Sequence, residues 1–230
     1  MALLKRANYF YHWLKQEYLG SESTKDIYGK LAREEKYDFT VDYHDRVETY
    51  KKALKKAVPK FDSVLDIACG TGAMIDALEP EDHHQVKGID ITPEMLVEAR
   101  KRFGHRNNIS LHEQSFMEAD FPVESFDLIT VGYATRFVPK GSEQLFAKNV
   151  AKWMTKGGYL FAIVQPSIVS GALQRFEKMT GYPKGLNLAM HLEKPFIKHM
   201  EKHLEYVQTV PVEWKYLVVK GVAVVMQKRN

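Results

Sequence analysis

The sequence predicts a doubly wound α/β fold with a mostly parallel sheet of seven strands. From Val64 onward, short apolar runs alternate with helical patterns, which is the order of parallel strands and crossover helices. The run at 126–131 is apolar at nearly every position, as expected for a strand covered on both faces. Two later runs, at 206–214 and 222–226, are separated by a short turn and predict an antiparallel pair added to the sheet.

Each element in this pattern has its own local signals. Strands are predicted from Val64 and at 85–90, 109–112, 126–131 and 159–164. Thr92, Pro93 and Glu94 supply a cap, a first-position proline and an acid in the first turn of one helix. Ser142 is predicted to cap another helix, which Gly157 and Gly158 would end.

Two further segments fall outside the alternating pattern. Residues 1–60 carry apolar stripes at helical spacing and predict an N-terminal helical cap before a main domain at 61–230. Residues 165–203 contain several glycines and prolines among apolar residues and are too long for a simple connection. We therefore expect an inserted helical lid there, ending in a helix at about 194–203.

Composition narrows the class of protein. With 230 residues and 45% apolar content, the chain can bury one sizeable core. The net charge of +4 is spread along the chain and is a weak signal for nucleic-acid binding. The single cysteine, Cys69, fits a reducing compartment, and no apolar run approaches the length of a membrane span. We expect a cytoplasmic protein.

The stretch 64–72 predicts a ligand-binding turn between a strand and a helix. The apolar run ends in Asp66, and the small residues Ala68, Gly70 and Gly72 follow before a helix start. Small residues let the backbone approach a ligand closely, and the N–H groups at a helix start favour negative charge. Such a turn suits a pyrophosphate or the carboxylate of a methionine moiety. Asp90, at the end of the second strand, can accept hydrogen bonds from both ribose hydroxyls of a nucleoside. An NAD-binding fold offers the same acid, so Asp90 alone does not identify the cofactor.

The segment Asp66-Ile67-Ala68-Cys69-Gly70-Thr71-Gly72, together with Gly88-Ile89-Asp90, resembles the class I S-adenosylmethionine-dependent methyltransferases. The likeness covers residues 64–165 and 204–228, and NAD-binding proteins more often have a glycine where Ala68 stands. The resemblance implies a seven-stranded sheet with an antiparallel last strand, and S-adenosyl-L-methionine as cofactor. It assigns Asp66 and the 68–72 backbone to the methionine part, and Asp90 to the ribose. The full set of residues predicted to bind the cofactor is Tyr37, Asp66, Ala68, Cys69, Gly70, Gly72, Asp90, Ile91, Met95, Ser115, Phe116 and Gly132.

A narrower resemblance concerns one branch of that family. The segment 132–138, Gly-Tyr-Ala-Thr-Arg-Phe-Val, is similar to the Gly-Leu-Arg-Asn-Val segment of the quinone C-methyltransferases of ubiquinone and menaquinone biosynthesis. Residues 36–38 are similar to their Tyr-Asp segment, and 216–225 resemble their last strand and its preceding turn. Two positions depart from the branch: Phe137 replaces an asparagine, and Ser115 replaces an aspartate.

Methyl transfer is an in-line displacement that requires alignment, dehydration and removal of a proton from the acceptor. Arg136 is predicted to anchor a phenolate or another anionic oxygen. Tyr133 and His191 complete the predicted catalytic set, with His44 and His112 as further candidate bases. No metal site is predicted, because the pair at 199 and 203 lacks the His-Glu-x-x-His glutamate and the pair at 83–84 lies in a polar loop.

The acceptor is expected to be a small, largely apolar molecule, such as a quinone or a phenol. Candidates to line its pocket, or to pack the lid, are Phe10, Trp13, Phe176, Met179, Leu188 and Met190. Trp13 and Tyr18 stand near basic residues and could contact a membrane surface. Two alternatives stay open: a protein or RNA acceptor, and a non-catalytic scaffold that still binds the cofactor.

Overall fold

The computed structural model describes residues 23–34, 36–165, 187–213 and 221–229. Within these ranges it contains a sheet of seven strands, and it confirms the predicted fold class. The strands are β1 (Ser63–Ile67), β2 (Gln85–Asp90), β3 (Ile109–Glu113), β4 (Phe126–Gly132), β5 (Met154–Val164), β6 (Glu205–Val212) and β7 (Gly221–Gln227). Their order across the sheet is β3-β2-β1-β4-β5-β7-β6.

The first five strands pair in parallel, and β7 runs antiparallel to both of its neighbours, β5 and β6. The predicted closing pair is therefore antiparallel, but its second strand is internal to the sheet and its first strand forms the edge. Strand β5 begins at Met154 rather than at Tyr159, because the preceding helix ends at Trp153 and Met154 already pairs with Phe126.

The described helices lie before, between and after the strands. They are α1 (Thr24–Arg33), α2 (Lys36–Val41), α3 (Tyr43–Ala57), α4 (Ala73–Leu78), α5 (Pro93–Phe103), α6 (Glu143–Trp153), α7 (Leu188–His191) and α8 (Glu193–Met200), with a 3₁₀ turn at Ala134–Phe137. Thr92 and Ser142 occupy the predicted N-cap positions, but neither side chain makes a capping hydrogen bond. The helix expected at about 194–203 spans Glu193–Met200 instead. None of the helices in the described ranges is long and apolar enough to cross a bilayer.

The core has two layers, one on each face of the sheet. Leu160 packs with Trp153 and Phe196 on one face, and its neighbour Phe161 packs with residues of α3, α4 and α5 on the other. Successive side chains of a strand point to opposite faces, so a strand buried on both faces is apolar throughout. This arrangement explains the nearly continuous apolar runs in the sequence.

Several predictions fall outside the described residues. Phe10, Trp13, Tyr18, Phe176 and Met179 belong to this group, and so does the side chain of Leu188. Of the candidate pocket residues, Met190 is described, and it is fully buried against the core. The division into a cap at 1–60 and a lid at 165–203 stays a prediction.

Candidate active site

The loop between β1 and α4 passes through three residues with left-handed backbone conformations: Ala68 (φ 55°), Gly70 (φ 56°) and Gly72 (φ 93°). A Cβ at Gly72 would collide with the ring of Phe103, so glycine here allows the loop to pack on α5. A Cβ at Gly70 would meet no atom of the described residues within 4 Å. The space above Gly70 is therefore an open cradle that a side chain would fill.

Asp66 lies beneath this loop, near the end of β1, and is 1% exposed. Its Oδ1 accepts a hydrogen bond from Thr130 Oγ1 at 2.7 Å, whereas Oδ2 has no hydrogen-bond partner among the described residues. Burial raises the pKa of this carboxyl to about 7; the Thr130 bond opposes the shift, and the charge of Asp90 adds to it. A buried carboxylate oxygen that lacks a partner is suited to receive a cation such as an amino group.

Asp90, at the end of β2, joins the loop to the neighbouring strand. Its Oδ2 accepts the N–H of Gly70 at 2.9 Å, and its Oδ1 accepts the N–H of Thr92 at 2.8 Å. Burial raises the pKa of the carboxyl even though both hydrogen bonds favour the ionised form. Each oxygen keeps further acceptor capacity, which fits two ribose hydroxyls. Ile91 follows immediately and is 37% exposed, so its side chain is available to cover a flat ring.

The remaining predicted cofactor residues are distributed around this loop. Cys69 is buried, and burial raises the pKa of its thiol well above the ordinary value, so the thiol stays protonated. Ser115 and Phe116 follow β3, and the Phe116 ring packs edge-on against Phe146 at 5.7 Å between centroids. Met95 is buried on α5. The role of each of these four residues in cofactor binding stays a prediction.

The donor set fits S-adenosylmethionine, the cofactor that the fold class implies. The unpartnered oxygen of Asp66 matches the amino group of the methionine part. The open cradle at Gly70 leaves room for the cofactor against the loop backbone, and Asp90 offers acceptors to a ribose. These observations come from residues of β1, of β2 and of the loop between β1 and α4.

The three predicted catalytic residues lie close together beyond the end of β4. Tyr133 follows this strand with a left-handed backbone (φ 62°), Arg136 lies in the 3₁₀ turn, and His191 ends α7. The rings of Tyr133 and His191 are 6.4 Å apart between centroids. Burial lowers the pKa of His191 well below its ordinary value, and the charge of Arg136 lowers it further. His191 is therefore a neutral imidazole, and its Nδ1 has no hydrogen-bond partner within the described part of the chain.

Tyr133 keeps its proton and can serve as a hydrogen-bond donor. Burial raises the pKa of its phenol, although the charges of Arg46 and Arg136 act in the opposite direction. Its hydroxyl lies against Gly221, where any Cβ would collide with it. The first residue of β7 thus fixes how far the Tyr133 side chain can extend.

Arg136 belongs to an arginine–tyrosine cluster formed by Tyr28, Tyr37, Arg46, Tyr50 and Arg136. Tyr50 and the two arginines are buried, and the other two tyrosines are half-buried. Arg136 Nη2 donates to the hydroxyl of Tyr28 at 2.8 Å, and Arg46 Nη1 donates to the hydroxyl of Tyr37 at 2.8 Å. The rings of Tyr28 and Tyr37 meet edge-on at 5.8 Å. Burial raises the pKa of Tyr50, and both arginine charges act against that shift. The cluster therefore combines two guanidinium groups with three phenol rings, and burial raises the pKa of the Tyr50 phenol.

Most of this cluster was not predicted from the sequence. The cofactor-binding role of Tyr37 stays a prediction, and its contact with Arg46 was not foreseen. Tyr28 and Tyr50 lie in the apolar stripes predicted within residues 1–60, and the sequence assigns them no functional role. Arg46 occupies a buried position of α3, on the same side as Tyr43, Tyr50 and Leu54. A basic residue at a stripe position of an amphipathic helix is the signal that could have identified it.

Helix α7 is tied to the 3₁₀ turn by Asn187. The N–H of Asn187 donates to the carbonyl of Arg136 at 2.7 Å, and its side chain donates to Glu143 Oε1 at 2.6 Å. The carbonyl of His191 accepts the N–H of Gln165 at 2.8 Å. These bonds hold His191 beside the turn that carries Arg136.

The other candidate bases are not part of this group. His44 lies on α3, where its ring contacts Tyr43 edge-on. His112 lies on the edge strand β3; burial and then the charges of Lys87 and Arg100 lower its pKa. Neither residue has a described contact with Tyr133, Arg136 or His191.

One group of described side chains has the composition of a metal site. Ligand atoms of Asp62, His83 and His84 lie within 4.8 Å of one another. However, Nδ1 of His84 accepts the N–H of Glu81 at 2.7 Å. A neutral imidazole in that arrangement carries its proton on Nε2, so neither ring nitrogen offers a free lone pair. This argues against His84 as a ligand.

Comparison with known proteins also indicates a methyltransferase domain. Residues 64–158 match the family model described as a methyltransferase domain. The demethylmenaquinone methyltransferase of Bacillus licheniformis is 32% identical over 108 residues, which is 46% of each chain. The enzyme of the same name from Listeria welshimeri is 29% identical over 157 residues, 64% of this chain and 65% of the relative. The matched segment thus spans between about half and two thirds of these relatives.

Among solved structures, the fold is similar to that of the N-methyltransferase NodS from Bradyrhizobium japonicum in complex with S-adenosylhomocysteine. The TM-score is 0.65 at 17% identity, and the alignment covers 91% of this chain and all of the other. At this identity, the likeness concerns the fold alone.

Proposed function

From the premise that residues 64–158 form a class I S-adenosylmethionine-dependent methyltransferase domain, we propose that this protein methylates a small, largely apolar quinone- or phenol-like molecule. The observation that carries the proposal is the buried position of Arg136, next to Tyr133 and His191 at the end of β4. A guanidinium in that place can stabilise the oxygen of an aromatic hydroxyl as it becomes anionic. The names of the relatives, demethylmenaquinone methyltransferases, support an acceptor of this class.

The residues of the chain divide the remaining tasks. The bound cofactor would supply an electrophilic methyl group on a sulfonium. The neutral imidazole of His191 can accept the proton that the acceptor must lose, and Arg136 favours the resulting anion. Tyr133 keeps its proton and can donate a hydrogen bond to the acceptor oxygen. Burial of all three groups excludes water, which strengthens their electrostatic effect.

Contact with a membrane surface would suit an acceptor with a long apolar tail. The residues that suggested it, Trp13 and Tyr18, lie outside the described part of the chain. We retain that contact as part of the proposal, together with a cytoplasmic location.

The direct test is methyl transfer from S-adenosylmethionine with a labelled methyl group. Reduced naphthoquinones that lack the ring methyl, simple phenols and an unrelated amine would be offered in parallel, with mass spectrometry of the products. We expect the hydroxylated aromatics to be methylated and the amine to remain unchanged. Binding of S-adenosylhomocysteine without transfer to any aromatic acceptor would overturn the proposed substrate class and favour the scaffold alternative.

Replacing Arg136 by Gln should lower the rate of transfer by about 100-fold, because one donor to the developing anion is lost. Affinity for S-adenosylhomocysteine should stay within about twofold, since Arg136 lies outside the loop that carries Gly70. The matched control is Arg33→Gln on the surface of α1, where the arginine pairs with Glu94. Steady-state kinetics with the best acceptor provide the measurement. A rate for the Arg136 variant equal to that of the control would remove Arg136 from the mechanism.

A further inference from the structure

We call residues 68–72, between β1 and α4, the cofactor loop. Helix α2 contacts this loop directly through Asp38. Oδ1 of Asp38 accepts a hydrogen bond from Thr71 Oγ1 at 2.7 Å, and Oδ2 pairs with Arg102 Nη2 at 2.5 Å. Arg102 also donates to the carbonyl of Thr71 at 3.1 Å. Asp38 thus holds the Thr71 hydroxyl, and Arg102 holds the Thr71 carbonyl.

Thr71 stands between the two glycines that shape the loop, Gly70 and Gly72, and is 3% exposed. The loop adopts left-handed conformations at those glycines and also at Ala68, which has a Cβ. A non-glycine residue in this region costs free energy and persists only where surrounding contacts enforce it. The two bonds to Thr71 are contacts of this kind.

The residue before Asp38 belongs to the arginine–tyrosine cluster. Tyr37 accepts the hydrogen bond from Arg46 and meets the ring of Tyr28, and Tyr28 accepts from Arg136. Two consecutive residues of a six-residue helix therefore contact the cofactor loop and the cluster that contains Arg136. A movement of α2 would change both.

We propose that Asp38 is a positioning residue of the cofactor loop. Through Thr71 it holds the loop in the conformation that receives the cofactor, and through α2 it links that loop to the arginine–tyrosine cluster. The inference requires that the cofactor binds at the loop. It does not depend on which acceptor is methylated.

Calorimetric titration with S-adenosylhomocysteine tests whether Asp38 positions the cofactor loop through Thr71. Asp38→Ala and Thr71→Val should each weaken binding about tenfold, the scale of one hydrogen bond to a charged group. Thr71→Ser keeps the hydroxyl and should bind within about twofold of the parent protein. The double variant Asp38→Ala/Thr71→Val should bind no more weakly than Asp38→Ala alone, because both changes remove the same bond.

Lys25→Gln is the matched control, because Lys25 forms another ion pair between the N-terminal helices and the sheet, with Glu113 at 2.9 Å. It should leave the affinity unchanged. Thermal unfolding of every variant shows whether a loss of affinity merely follows a loss of stability. Equal affinity in Thr71→Ser and Thr71→Val, or effects of the two single changes that multiply in the double variant, would overturn the role of Asp38.

Hydrogen exchange tests whether α2 is linked to the cofactor loop, and it requires no acceptor. S-adenosylhomocysteine should slow exchange in the loop at 68–72 and also in α2, and the effect on α2 should disappear in Thr71→Val at saturating ligand. Protection confined to the loop in the parent protein would refute the link. Failure to methylate quinones or phenols would leave these titrations unaffected, so the two proposals can fail separately.

Discussion

At the scale of single residues, the buried carboxyl of Asp66 makes the stability of the protein depend on pH. Burial raises the pKa of this carboxyl from 3.8, its value as an isolated group, to about 7 in the folded protein. Between these values the folded state binds more protons than the unfolded state, so this group lowers stability as the pH rises through the window. Above pH 7 the penalty is complete.

Asp66→Asn should therefore stabilise the cofactor-free protein at pH 8 and have little effect at pH 4. The expected gain is on the order of a few kcal/mol, since each pKa unit corresponds to about 1.4 kcal/mol. Urea unfolding of both proteins at several pH values measures it. The same change should weaken S-adenosylhomocysteine binding, because an amide cannot attract an amino group as a carboxylate does. A difference in stability that stays constant with pH would contradict the shifted pKa of Asp66.

The contacts of individual residues were the least predictable part of this protein. The glycines and acids around 66–90 could be placed from the sequence because their pattern is local. The pairing of Arg136 with Tyr28 joins residues 108 positions apart, and that of Asp38 with Arg102 joins residues 64 apart. Such contacts depend on how α1, α2 and α3 pack on the domain. No local pattern encodes that packing.

At the scale of elements, Gly72 determines how α5 packs against the cofactor loop. Gly72→Ala should destabilise the protein by about 2–5 kcal/mol, since a Cβ would add a collision with Phe103 to the cost of a left-handed alanine. Gly141→Ala is the matched control: Gly141 has a similar φ of 89°, and its Cβ would meet no described atom within 4 Å. It should cost only about 1–2 kcal/mol. Chemical denaturation compares the two, and equal losses would show that the Phe103 contact adds nothing.

The elements themselves were largely predictable, because strands buried on both faces are apolar throughout and glycines mark the turns. The predicted boundary was wrong where a helix is followed directly by a strand with no loop between them, as at Trp153 and Met154. Gly157 and Gly158 suggested a helix end there, whereas Gly157 pairs through its N–H with Lys228 at the base of β7. The two glycines therefore lie within strand β5 and do not mark the end of the helix.

At the scale of the whole molecule, the sheet separates two cores, and each of them contains fully buried side chains. Leu160→Ala and Phe161→Ala remove fully buried side chains from opposite faces. Each should lower the free energy of unfolding by about 3–5 kcal/mol. Leu145→Ala, at a position that is 49% exposed, should change it by less than about 0.5 kcal/mol. Denaturant unfolding with a constant m-value measures all three. A small loss at only one of the buried positions would mean that one layer is loosely packed.

The place of β7 between β5 and β6 has a consequence for folding during synthesis. Strand β6 leaves the ribosome before β7, yet its described pairing partner is β7, so β6 must wait unpaired until residues 221–227 have emerged. Meanwhile the outer edge of β5 is exposed as well. A nascent chain stalled before that point would carry two open strand edges, and these are the surfaces through which incomplete chains associate.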